Sequence, residues 1–141
     1  MSAPRISRLR IEHRPDTLGI GNAAPRLSWC TQNDTPGWMQ AAYEVNVIAP
    51  DGTEHTSGVV ESNDSVLVPW PAVALRSRED RTIRVRAFGR DGSETPWSEP
   101  LTVEAGLLDV GDWQAQFVGP AWDEDVESAQ PCPYLRRTFT V

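Results

Sequence analysis

"RTIRVRAFGRDGSETPWSEPLTVEAG", residues 81–106, decides the fold. In an extended chain side chains point alternately to opposite faces. Ile83, Val85 and Ala87 therefore share one face, and Arg84 and Arg86 the other. Asp91-Gly92 follows, a pair suited to a tight reversal because glycine accepts positive φ. After it Leu101, Val103 and Ala105 alternate with Thr102 and Glu104. Period-two runs separated by an Asp-Gly turn predict antiparallel strands with one face buried.

Working outward, the same pattern recurs. "ISRLRIEHR" places Leu9 and Ile11 opposite Arg8, Arg10 and Glu12, and "PRLSWC" turns Leu27 and Trp29 inward. "AAYEVNVIAP" turns Tyr43, Val45 and Val47 inward before a second turn at Asp51-Gly52, and "SVLVPW" adds Val66 and Val68. No helical period runs beyond about two turns. Roughly seven short strands in about 100 residues predict an all-β fold, an antiparallel sandwich of the immunoglobulin or fibronectin type III kind. Trp29 suits the centre of such a core.

The sandwich is expected to occupy residues 1–106. Residues 107–133 read as a junction and linker, with "DEDVESAQPCP" acidic and proline-bounded. "YLRRTFTV", residues 134–141, resumes the alternation and is expected to be the first strand of a truncated following β-domain.

The totals exclude several function classes. At 141 residues the chain is one domain, or one domain plus a piece of another, and needs no metal or disulfide to hold a core. Twelve Pro and ten Gly without a repeat imply many turns. A net charge of −7 argues against nucleic acid or an anionic membrane as partner. No apolar run reaches the ~18 residues of a membrane-spanning helix. The N-terminal "MSAPRISRLRIEHRPD" lacks the apolar core of a secretion signal, so a cytoplasmic location is expected. Cys30 and Cys132 are too few for a disulfide framework and are expected to be free thiols in a reducing compartment.

No catalytic, cofactor-binding or metal-binding constellation emerges. Asp123, Glu124, Asp125 and Glu127 read as a solvated acidic loop rather than as the paired carboxylates of a hydrolase. His13 and His55 stand in no motif, and "GIGN" at 19–22 has neither the spacing nor the following helix of a phosphate loop. The sequons at Asn33 and Asn63 read as surface turns. Trp97 is expected to pack against Arg84 or Arg86, since a guanidinium over an indole is worth roughly 0.5–1 kcal/mol at an exposed site. Trp38, after a Pro-Gly turn, is expected at the surface, serving domain docking or partial burial. Trp70 and Trp122 carry the same two readings. The alternative for Trp38 and Trp97 is a sugar-stacking face.

Taken in order, "RLRIEHR", "LGIG", "PRLSW", "QAAYEVNV", "TSGVVES", "VPW", "RVRAFGRDG", "PWSEP" and "EAGLLDVGDWQAQFVG" resemble the N-terminal fibronectin-III-like module of bacterial α-L-rhamnosidases of glycoside hydrolase family 78. The likeness covers essentially the whole chain. It departs at Thr82 and Ile83, where the family usually carries aromatics, which implies a lighter core on that strand. The resemblance implies a non-catalytic structural or docking domain without cofactor. Its partners would be the later domains of the parent enzyme, with the rhamnoside a substrate of the parent alone. Catalysis would reside in a downstream (α/α)6 barrel whose two acidic residues hydrolyse terminal α-L-rhamnosides with inversion. Trp113 and Phe117 would sit at the domain junction, an interdomain indole contributing on the order of a few kcal/mol by buried area. A carbohydrate-binding module using Trp38 or Trp97, or a free-standing protein-interaction module, are the alternatives.

Overall fold

The computed structural model describes residues 3–14, 16–123, 125 and 127–140. Glu124 and Val126 of the acidic stretch and Val141 of the terminal strand lie outside them, as do Met1, Ser2 and Pro15. The strands are β1 (Arg5–Ile11), β2 (Leu27–Gln32), β3 (Gln40–Ile48), β4 (Glu54–Thr56), β5 (Asp80–Gly89) and β6 (Leu101–Glu104), followed by a 3₁₀ turn at Val110–Asp112. One sheet pairs β1 with β2, and the other runs β4–β3–β5–β6. Every strand pair is antiparallel. Residues 65–68 extend the smaller sheet: Leu27 N donates to Val68 O at 2.9 Å, Val68 N to Leu27 O at 2.8 Å, and Trp29 N to Ser65 O at 2.9 Å. Six strands and this bridging segment make the expected all-β sandwich.

Between the sheets lies one core. Ile11, Leu27 and Trp29 face Val45, Val47, Ile83, Val85, Ala87 and Val103, all buried. Burying a side chain of this size stabilises by about 1.5–3 kcal/mol, so these few positions outweigh any surface contact. Trp29 meets Tyr43 edge-on, ring centroids 5.2 Å apart. Its indole N–H donates to Gln40 Oε1 at 3.2 Å, and Gln40 Nε2 donates to the carbonyls of Ser62 and Asp64. The polar end of the central indole is thereby satisfied without water.

The two Asp-Gly turns share one construction. Ala49 N bonds Thr53 O and Gly52 N bonds Ala49 O; in the other, Gly89 N bonds Ser93 O and Gly92 N bonds Gly89 O. Gly52 and Gly92 stand at φ 84° and 80°. Each aspartate accepts from the backbone N–H two residues on, Asp51 from Thr53 and Asp91 from Ser93. This is a type I turn closed by a left-handed glycine, the usual three-residue hairpin loop.

Three sequence expectations change. Val66 shares parity with buried Val68 but is 63% exposed, because Leu67 between them takes φ 53° and breaks the alternation. Its N–H is recovered by Ser28 Oγ at 2.9 Å. Leu9 is only partly buried, since β1 bulges between Ser7 and Arg10 with Arg8 at φ 50°. Of the departures at 82 and 83, only Ile83 belongs to the core; Thr82 faces outward, its hydroxyl 3.4 Å from that of Thr102.

At the end where the chain enters β2, Glu12 is a hub. It accepts from Arg26 N at 2.7 Å, Arg26 Nη2 at 2.6 Å and Asn22 Nδ2 at 3.4 Å. The Arg26 guanidinium lowers its pKa to about 2.

Candidate functional site

Three places carry the residues singled out in the sequence, and the structure keeps them apart. The first is the outer face of the larger sheet. Arg84 and Arg86 project from β5 on the polar side of its alternation, and Trp97 lies beside them in the segment that Ser98 N ties to Val85 O at 2.8 Å. The carbon centres of both guanidiniums lie over the Trp97 ring, at 5.7 Å and 4.8 Å from its centroid. Arg86 also lies over Phe88 and pairs with Glu44 at 2.7 Å. Hydrogen bonds from Thr56 and Arg86 hold the Glu44 carboxyl below the usual range. Trp97 thus packs with both arginines, not one. Its ring is spent on its own sheet, beside a groove of about 390 Å³ shared with β1.

Trp38 is the second place. It is half-buried and packs on the core, and its Nε1 donates to Ser93 Oγ at 2.8 Å in the β5 turn. Met39 beside it is exposed. Trp38 and Trp97 line different concavities and form no joint stacking face. Trp70 likewise is partly buried, its indole donating to Val73 O.

The chain's exit from the sandwich is the third. Beyond β6, Gly106 N donates to Ile20 O at 2.9 Å and Arg78 N to Gly106 O at 3.0 Å. Leu108 packs on the core, and its N–H donates to Ser77 Oγ at 2.8 Å. The Ser77 hydroxyl in turn donates to the Asp112 carboxylate, which also accepts from Asp109 N at 3.3 Å. These donors keep the Asp112 pKa below the usual carboxylate range, the Ser77 bond foremost. Trp113 follows at 64% exposure, and Phe117, Val118, Tyr134, Leu135 and Phe139 are exposed beyond it. Residues 134–140 form no strand within this chain. Neither Ser77 nor Asp112 stood out in the sequence; a serine and an aspartate 35 positions apart carry no local pattern.

Among the described residues no group of three or more His, Cys, Asp or Glu is placed to hold a metal ion. Cys30 and Cys132 are exposed free thiols. No helix is long and apolar enough to cross a membrane.

The fold is therefore an immunoglobulin-like sandwich whose built feature is its exit, a clamped turn leading into an unburied aromatic tail. The profile of the family described as "Rha78A-like, N-terminal immunoglobulin domain" matches residues 6–109, and the chain belongs to that family. It is similar to an α-L-rhamnosidase of Streptomyces avermitilis, 37% identical over 99% of this chain and 15% of that protein. Among solved structures, the α-L-rhamnosidase of Aspergillus terreus superposes with a TM-score of 0.75 at 46% identity, covering 79% of this chain and 13% of the other. The S. avermitilis enzyme complexed with L-rhamnose gives 0.75 at 36% identity, covering 80% and 12%. The chain thus spans about 15% of the length of the curated relatives it matches. What it matches is their small N-terminal domain, a non-catalytic one.

Proposed function

We propose that the chain serves as the N-terminal structural domain of an α-L-rhamnosidase, docking through its exit segment onto the domains that follow. The parent would release terminal α-L-rhamnose, with its catalytic carboxylates beyond residue 141. The observation that carries this reading is the exposed apolar run of Trp113, Phe117, Val118, Leu135 and Phe139, set directly after a self-sufficient core. Exposed apolar residues gathered in one stretch of chain suit an interaction surface. Trp113 and Phe117 are the junction residues of this reading, and residues 134–141 the first strand of the next domain. A cytoplasmic location belongs to it too, supported by the two unpaired thiols.

The test is removal of residues 1–106 from the parent enzyme. The expected result is a shorter thermal half-life, with activity lost as a consequence. An unchanged half-life and turnover refute the structural role. Titrating the 141-residue chain with rhamnosides is expected to leave its tryptophan fluorescence unchanged. A saturable change abolished by Trp97→Ala would replace docking with carbohydrate binding.

A further inference from the structure

The exit has a sharp internal boundary. From Ala105 to Trp113 the backbone is held at nearly every step. Ala105 N bonds Glu79 O, Gly106 bonds both Ile20 and Arg78, Leu108 bonds Ser77, and Asp112 N and Trp113 N close the 3₁₀ turn onto Asp109 O and Val110 O. From 114 to 123, among the described residues, no hydrogen bond is made. Gly106 also runs so near the 19–21 loop that a Cβ there would lie 3.4 Å from the Gly19 backbone. A flexible linker would begin where β6 ends; here order continues for a further eight or nine residues and then stops.

One side chain joins this segment to the body of the sandwich. The Ser77 hydroxyl accepts from Leu108 N and donates to the Asp112 carboxylate, spanning both ends of the turn. A hydroxyl has one proton to give and lone pairs to receive with, so a single serine supplies both bonds. The bond to the carboxylate is charge-assisted, the stronger kind. We infer that residues 106–113 are a rigid strut rather than a linker, and that Ser77 is the positioning residue that fixes the direction in which the chain leaves the sandwich. The apolar run from Trp113 onward is thereby presented to its partner, the following domain of the same polypeptide, in one orientation. The partner's identity rests on the docking reading; the strut itself does not.

Amide exchange and {1H}-15N heteronuclear NOEs in the 141-residue chain test the strut. In the wild type the step from rigid to mobile backbone is expected after Trp113, with Leu108 N–H protected. In Ser77→Ala the step moves to Gly106, and Leu108 protection falls at least tenfold while Val45 and Val85 keep theirs. Ser77→Thr, which retains the hydroxyl, restores the wild-type profile. A wild-type step at Gly106, or a Ser77→Ala profile unchanged at Leu108, overturns the inference. In the parent-length enzyme Ser77→Ala is expected to shorten the thermal half-life at least twofold, with Ser77→Thr restoring it. An unchanged half-life there removes the orienting role. Failure of the docking reading is seen separately, in the deletion of residues 1–106, and leaves the exchange profile intact.

Discussion

Gly89→Ala separates two opposed effects at one buried position. Gly89 does not have positive φ, so its backbone suits any residue, and alanine in a strand should gain ~0.5–1 kcal/mol over glycine. Space argues the other way. A Cβ at 89 would lie 2.4 Å from Asp91 Oδ1, 2.6 Å from Trp38 Nε1 and 2.8 Å from Ser93 Oγ. None of these is a loose end. Asp91 is held by the Ser93 N–H and hydroxyl, and Trp38 by its bond to Ser93 and its packing on the core. Forced overpacking costs roughly 1–3 kcal/mol, and losing the indole hydrogen bond adds about 1 kcal/mol. After the gain from alanine is subtracted, the net expectation is a destabilisation of roughly 1–3.5 kcal/mol, a large part of a small domain's ~5–15 kcal/mol. For a domain of this size that lowers Tm by roughly 5–15 °C. Urea unfolding followed by tryptophan fluorescence and by circular dichroism measures it. Trp38→Ala removes one of the three obstacles, so the double variant should show a coupling of at least ~1 kcal/mol. A stabilised Gly89→Ala, or one equally destabilising beside Trp38→Ala, refutes the claim that the indole reserves this space.

Trp97→Ala should lower stability by about 1 kcal/mol, because both arginines lose their aromatic partner; an unshifted urea midpoint would show that the ladder on this sheet face contributes nothing. Glu12 titrates at about 2 in the fold against an ordinary 4.5, so its stabilisation is present above the higher value and disappears as pH falls from 4.5 towards 2. Half the Arg26 side chain is in water, which reduces the contribution to ~1 kcal/mol. The difference in stability between wild type and Glu12→Gln should therefore shrink across that window, and a difference constant with pH would count against the pair.

How much of this was legible depends on what kind of signal each feature leaves. The face of β5 was readable because Ile83, Val85 and Ala87 alternate with Arg84 and Arg86; β3 was readable more weakly, since Asn46 between Val45 and Val47 is buried as well. Both hairpin turns were readable from Asp-Gly, since few other pairs supply the side-chain acceptor and the left-handed residue together. Val66 misled because alternation assumes an unbroken extended chain, and nothing marks Leu67 as left-handed. Partial burial of Trp38 was one of its two readings, but the partner that covers it was not legible, because the turn at Ser93 lies 55 positions away. The pairing of Ser77 with Asp112 failed for the same reason. Serine and aspartate are common turn residues, and only the folded end of the sandwich brings these two together.

The distribution of unburied apolar surface says where the information for assembly lies. Among the described residues, eight of the fourteen exposed large hydrophobic residues fall after position 109, in the last 32 residues of the chain. The sandwich does not need them, since its core closes between the two sheets and its central indole is satisfied internally. Nor does the stretch beyond Trp113 hold itself. Fixing each residue of an isolated segment costs ~1–2 kcal/mol of conformational entropy, and residues 114–123 make no hydrogen bond to offset it. In the docking reading their order comes from the domain that follows. The cost of capturing them falls if the first residue is delivered already fixed, because fewer conformations remain to be lost. That is the physical use of clamping the exit up to Trp113: a flexible tether there would make the same apolar contacts weaker.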